Sequence, residues 1–228
     1  MQIVERDINL KIAQYCKSEL ETYAGVTVYM TRNDNTSPNT DREQRAKFAA
    51  EKGANVLVSI HINSYGKGYT SAHGAEVYYP NSNYNSTVSG QGQNLSAVIL
   101  KQLTALGLAD RGIKIKNSKD GETYPDGSLA DYLGINKYAK LYGYPGILIE
   151  HAYANNVSDA ANYLTTDAQL QRLGVADATG IAQYFGLQKK KNVSLYGICK
   201  QETVEGISAA LSYSSDDSNI KFRWMEYN

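Results

Sequence analysis

"VLVSIHINS", residues 56–64, decides how the chain reads. Val56, Leu57, Val58 and Ile60 are apolar and suit a strand, and they run straight into His61, with Asn63 and Ser64 directly after. So short and apolar a run reads as a buried strand of an α/β sheet. The chain has only 3 histidines. One at a strand exit is either a core ring with its hydrogen bonds satisfied or a group that holds something. A second apolar run, "PGILIEHAY" at 145–153, ends in Glu150 and His151. Ligands of open α/β sheets sit beyond the carboxyl ends of the strands. Taken singly, His61 reads as structural and Glu150 as an ion-pair partner. Two strands delivering such groups to one edge point instead to a site.

The pattern outward from these strands alternates. Residues 5–24 carry Leu10, Ile12, Ala13, Cys16 and Leu20 at helical spacing, and Gly25 ends the helix. "VTVYMTR", 26–32, reads as a strand, 33–40 as a loop, and 41–52 as a helix capped by Asp41. A short strand at 74–80, a polar Gly-containing loop, and a helix at 94–107 follow. The stretch 108–143 has little regular pattern, and such long connections are commonly functional. A last helix is expected at 168–185. The fold class is therefore α/β, an open twisted, mostly parallel sheet flanked by helices. After "KKKN" the pattern changes to "VSLYGI" and "NIKFRWMEYN", the beginning of a small C-terminal β module. The expected division is a domain at 1–187, a linker at 188–192 and the β module at 193–228, with Trp224 and Tyr227 more at home in its core than on its surface.

Composition narrows the function. Lys plus Arg and Asp plus Glu are 23 each, so no strong field draws the chain to nucleic acid or an anionic surface. No apolar run is long enough to span a membrane. Two cysteines, Cys16 and Cys199, make neither a disulfide framework nor a metal cluster. The 19 tyrosines against 3 Phe and 1 Trp suit clefts for polar, sugar-like or peptide-like ligands as well as they reflect mere compositional habit. Glu5, just ahead of the first helix, can reach the edge that carries His61 and Glu150. Imidazole and carboxylate are zinc ligands in hydrolytic sites.

"ERDINLKIA", "VTVYMTRND", "DREQRAKFAAEKGANVLVSIHINS", "HGAEVYY", "RGIK", "PDGS" and "PGILIEHAY" occur in this order. Together they resemble the zinc-dependent N-acetylmuramoyl-L-alanine amidases of bacterial and phage cell-wall lysis, the amidase-3 type, over about residues 4–186. The resemblance implies Zn2+ held by Glu5 and His61, with Glu150 as the catalytic glutamate. It implies cleavage of the amide between N-acetylmuramic acid and L-alanine in bacterial peptidoglycan. It also implies a monomer acting outside the cell or in the cell wall, as an autolysin or as a phage endolysin released at lysis. Asn63, Arg111 and Tyr153 are the candidate substrate contacts, and Tyr124 and Tyr132 candidate cleft walls.

One departure stands out. The family's first zinc ligand is a histidine in a Gly-rich turn after an N-terminal strand, whereas only "MQIV" precedes Glu5. The catalytic domain is therefore expected to be N-terminally incomplete, with one sheet edge uncovered. His73 falls in the "HGAEVYY" segment and reads as structural or cleft-lining; His151 should point away from Glu150 by strand alternation. With two of three ligands, weak zinc binding and low activity are expected. Two other readings compete: a degenerate amidase fold that binds peptidoglycan without cutting it, and a zinc carboxypeptidase on stem peptides. The latter needs an Arg to grip a terminal carboxylate, and the motif order argues against it.

Overall fold

The computed structural model describes residues 3–37, 40–190, 193–200 and 208–215. The chain divides into two compact units, residues 1–188 and 189–228. In the first unit, helix α1 (Glu5–Leu20) and helix α2 (Arg42–Glu51) precede strand β1 (Leu57–Asn63) and strand β2 (Ala75–Tyr78). Helix α3 (Ser86–Ala105), strand β3 (Asp110–Lys114), helix α4 (Gly134–Leu141) and strand β4 (Gly146–Tyr153) follow. The short helix α5 (Val157–Asp159) continues as a π-helical turn, and helix α6 (Asp167–Phe185) closes the unit. In the second unit β5 (Val193–Lys200) pairs antiparallel with β6 (Ser208–Ser215).

The sheet order is β1-β4-β2-β3. β1 runs parallel to β4, β2 runs parallel to β3, and β2 runs antiparallel to β4. An α/β sheet with two parallel pairings of three, flanked by helices, is the architecture expected. Ile12, Ile62, Val77, Leu95, Ile99, Ile147, Ile149, Leu173 and Ile181 form the larger core, which α1, α3 and α6 cover from one side. Ala46, Ala49, Leu57, Ile135, Ala139 and Tyr144 form a smaller core that includes α2 and α4. Helix α6 packs close because two of its residues lack a Cβ. A Cβ at Gly174 would lie 2.5 Å from the Ile12 carbonyl oxygen, and one at Gly180 2.7 Å from the Ile99 Cα.

Several local expectations are corrected. Residues 26–30 join no ladder. Val26 and Val28 do pack against the larger core, but a strand is defined by a hydrogen-bonded neighbour, and periodicity supplies none. Helix α3 begins at Ser86, eight residues before its sequence-based start, because the Asn85 side chain caps the Val88 N–H and Val88, Ser89 and Gly92 are buried. The long stretch 108–143 holds β3, α4 and a folded-back loop with bridges Asn117↔Asp131 and Thr123↔Leu129. The expected strand "NIKFRWMEYN", with Trp224 and Tyr227, lies outside the described residues.

A buried ion pair pins that loop. Lys140 and Asp131 are almost fully buried, with Nζ 2.9 Å from Oδ2. Lys140 Nζ also donates to Asn81 Oδ1 at 2.7 Å and to the carbonyls of Asn81 and Asn83 at 3.0 Å. It lies 4.3 Å from the centroid of Tyr124, whose hydroxyl bonds Asp131 at 2.5 Å. Tyr124, 2% exposed and stacked on Tyr84, is thus the loop's own core and no cleft wall. Lys140→Met should strand a buried carboxylate and lower stability by roughly 3–5 kcal/mol, read as a lower denaturant midpoint at constant slope. Adding Asp131→Asn should recover part of that loss.

Candidate functional site

The register of three strands assembles the site. His61 on β1 pairs with Glu150 on β4, and Glu150 pairs with Glu76 on β2. Directly paired residues point to the same face, so these three side chains stand abreast across neighbouring strands. Ile149, Val77 and His151 point the other way, into the larger core or toward α6. His61 lies inside β1, not beyond its end; the strand runs on to Asn63 through a shift in register after His61.

Glu5, the first residue of α1, meets His61. Its Oε1 lies 3.0 Å from His61 Nδ1 and also accepts from Asn9 Nδ2 at 3.2 Å and the Ile62 N–H at 3.4 Å. The hydrogen bond with His61 holds the Glu5 carboxyl below its ordinary range, against the opposing effect of partial burial. A first-turn acid is stabilised there by the helix dipole. His61 Nε2 lies 3.1 Å from Ser59 Oγ. Both Glu5 and His61 are about half exposed, at 48% and 40% of their side chains, so an incoming group can reach them.

Glu150 is different. Burial pushes its carboxyl up to about 7, helped by the charges of Glu5 and Glu76 and opposed by His61 and His151. Its Oε2 is buried without a hydrogen-bond partner. A carboxyl poised near neutrality with a free oxygen is suited to taking and giving a proton.

Asn63, Arg111 and Tyr153 gather around Glu76. That carboxylate, 3% exposed, accepts from Asn63 Nδ2 at 3.1 Å, Tyr78 Oη at 2.9 Å, Arg111 Nε at 3.0 Å and Lys114 Nζ at 2.5 Å. Burial alone would raise the Glu76 carboxyl, but the hydrogen bonds of Lys114, Tyr78 and Arg111 together hold it low. The Arg111 guanidinium lies 5.0 Å from the centroid of the Tyr153 ring, which is 3% exposed. Sequence reasoning passed over Glu76. Its signal was an acid inside the apolar "GAEVYY", matched by Arg111 and Lys114 at a three-residue step.

The other histidines lie apart. His73 Nδ1 is 2.9 Å from the Ser71 carbonyl oxygen, on an exposed loop. His151 is fully buried on the opposite face. Among the described residues no group of three His, Cys, Asp or Glu side chains converges as a metal site, and no helix is long and apolar enough to cross a membrane.

Residues 1–183 match the Amidase_3 family, described as N-acetylmuramoyl-L-alanine amidase. The chain is 30% identical over 196 residues to the endolysin of Bacillus phage SPP1, across 84% of this chain and 62% of that protein. It is 29% identical over 160 residues to the N-acetylmuramoyl-L-alanine amidase LytC of Bacillus subtilis, across 70% of this chain and 27% of LytC. This chain thus spans less than two thirds of the length of either relative. Among solved structures it resembles the catalytic domain of CwlV, N-acetylmuramoyl-L-alanine amidase from Bacillus (Paenibacillus) polymyxa var. colistinus. The TM-score is 0.60 and the identity 29%, across 81% of this chain and 86% of that one.

The raised Glu150 carboxyl has a consequence for metal-free protein. Its folded value is about 7 against an ordinary 4.5, so burial disfavours the charged form. The penalty is absent below about pH 4.5, grows as pH rises, and is complete above about pH 7. Glu150→Gln should therefore be more stable than wild type by roughly 2 kcal/mol above pH 7, after allowance for partial solvent screening. The gain should vanish near pH 4, which denaturant unfolding at the two pH values measures.

Proposed function

Since this chain belongs to the Amidase_3 family of N-acetylmuramoyl-L-alanine amidases, we propose that it hydrolyses the amide between N-acetylmuramic acid and the L-alanine of the peptidoglycan stem peptide. The observation that carries this reading is Glu150. Its carboxyl is raised to about 7, keeps one buried oxygen unpartnered, and stands in register with His61, which contacts Glu5.

The fit to zinc is partial. Glu5 and His61 offer two facing donors of the kind zinc takes in hydrolytic sites, 3.0 Å apart and open to solvent. The described residues add no third. Glu5 and His61 would hold the metal, which when bound supplies Lewis acidity toward the scissile carbonyl and makes water acidic enough to attack. This chain's own residues account for the proton. Glu150 accepts it from the attacking water as the new C–O bond forms. It then hands that proton to the alanine nitrogen as the C–N bond breaks, so the amine leaves neutral and the carboxylate is restored. The Glu76 charge, neutralised by Arg111 and Lys114, leaves Glu150 as the proton carrier. Arg111, over Tyr153, and Asn63 form a polar wall beside it for the stem peptide.

Such a substrate sets the protein's work in the cell wall, whether as an autolysin or as a lysin released at lysis. The decisive assay incubates purified peptidoglycan with the chain at saturating zinc and measures newly freed N-terminal L-alanine. Glu150→Gln should lower that rate by on the order of a hundred- to ten-thousand-fold while still binding peptidoglycan. Release of single C-terminal amino acids would identify a carboxypeptidase instead. Binding without any release by wild type would identify a non-cutting peptidoglycan module.

A further inference from the structure

Besides the ion pair of Lys140 and Asp131 that pins the loop, the proposed chemistry leaves a second buried pair of ionisable groups unused among the described residues. His151 and Asp177 are both fully buried, on β4 and α6 respectively, with His151 Nε2 2.8 Å from Asp177 Oδ2. Ile149, two residues before His151 on β4, and Leu173, one turn before Asp177 on α6, belong to the larger core. Removing two ionisable groups from water is costly, and apolar residues of like volume often hold a fold equally well. Stability alone therefore gives no reason for the pair.

The second nitrogen of the ring supplies one. His151 Nδ1 lies 3.1 Å from the main-chain carbonyl oxygen of His61. A carboxylate and a carbonyl only accept, so the ring donates through Nδ1 to His61 and through Nε2 to Asp177. The carbonyl it grips lies where the β1–β4 register shifts, between His61 and Asn63, and such an irregularity bends the strand and re-aims its side chains. On β4, His151 is the immediate neighbour of Glu150, and the two point to opposite faces. Asp177 stands on α6, which the close approaches at Gly174 and Gly180 hold against α1 and α3.

We propose that Asp177 and His151 are positioning residues: a clamp from α6 through the sheet that sets the main chain of His61, and with it the aim of the His61 imidazole beside Glu150. This rests on the hydrolytic reading of His61 and Glu150. The clamp touches neither substrate nor reacting atoms. Groups that orient the ligands of a hydrolytic site typically matter by 10–100-fold.

The test uses the full chain and the double variant His151→Leu/Asp177→Ala, which keeps the combined volume close and the residues suited to strand and helix. Three quantities are read: the denaturant midpoint, the imidazole nitrogen NMR resonances of His61 in metal-free protein, and kcat and KM for amine release at saturating zinc. The clamp predicts a folded protein whose midpoint is little changed. Its His61 resonances move away from the wild-type pattern set by Glu5 and Ser59, and kcat falls about 10-fold or more with KM nearly constant. A folded double variant with wild-type His61 resonances and wild-type kcat overturns the proposal.

If the double variant does not fold, His151→Asn and His151→Gln decide. Asn places its amide N–H where Nδ1 sits, and Gln places it where Nε2 sits. Asn, which keeps the bond to the His61 carbonyl but loses the Asp177 anchor, should retain more of the wild-type His61 resonances and kcat than Gln, which loses that bond; equal behaviour of the two overturns the clamp. The resonance measurement needs neither metal nor substrate. A wild type that frees no amine would therefore count against the hydrolytic reading, and unmoved His61 resonances against the clamp.

Discussion

Parallel pairing of β1 with β4 in one particular register is the constraint on which this structure depends. From Leu57↔Gly146 to His61↔Glu150 the two strands advance together. A slip of one residue would turn every side chain of β1 to the opposite face. Ile60 and Ile62 would leave the larger core, and His61 would enter it. The register is therefore held by the same apolar residues that make the fold, and the site gains its geometry from core packing. β2, antiparallel to β4, extends the row by bringing Glu76 opposite Glu150.

That row puts three acids, Glu5, Glu150 and Glu76, in one neighbourhood, and their surroundings set them apart. Glu5 is half exposed and paired with His61. Glu76 is buried but receives Arg111, Lys114, Tyr78 and Asn63. Glu150 is buried with one oxygen that finds no hydrogen-bond partner among the described residues, so its carboxyl rises to about 7 while the other two fall. Carboxyl groups whose environments push them apart take different roles. Under the proposed function, Glu5 would be the metal ligand, Glu76 the anchor of the polar wall, and Glu150 the proton carrier.

Legibility differed from element to element for physical reasons. The apolar runs of β1 and β4 and the amphipathic face of α1 were readable, because burial imposes a period on the residues that it hides. "VTVYMTR" misled: alternation reports which side chains face inward, and Val26 and Val28 do, but a ladder needs a partner that local sequence does not contain. The first two turns of α3 read as loop because Ser, Gly and Gln dominate them, while the Asn85 cap and the burial of Val88 and Gly92 come from packing. In 108–143, order comes from Lys140, which joins Asp131 in the same stretch to Asn81, 59 residues back in the chain, and only the fold brings that partner close. His61, Glu150 and Glu5 were legible as candidates. Glu76, His151 and Asp177 were not, since each acquires its meaning from a partner at least 26 residues away.

By itself the sequence determined the α/β class, the two buried strands that carry His61 and Glu150, the helix that starts at Glu5, and the family motifs in their order. Those depend on residue type and short-range spacing. Only the tertiary structure decided that His61, Glu150 and Glu76 stand side by side on one face, that Arg111 and Asn63 turn to Glu76, and that His151 reaches the His61 carbonyl from the core. These follow from strand register and helix packing, which are set by the simultaneous burial of residues distant in the chain, and no local stretch of sequence encodes them.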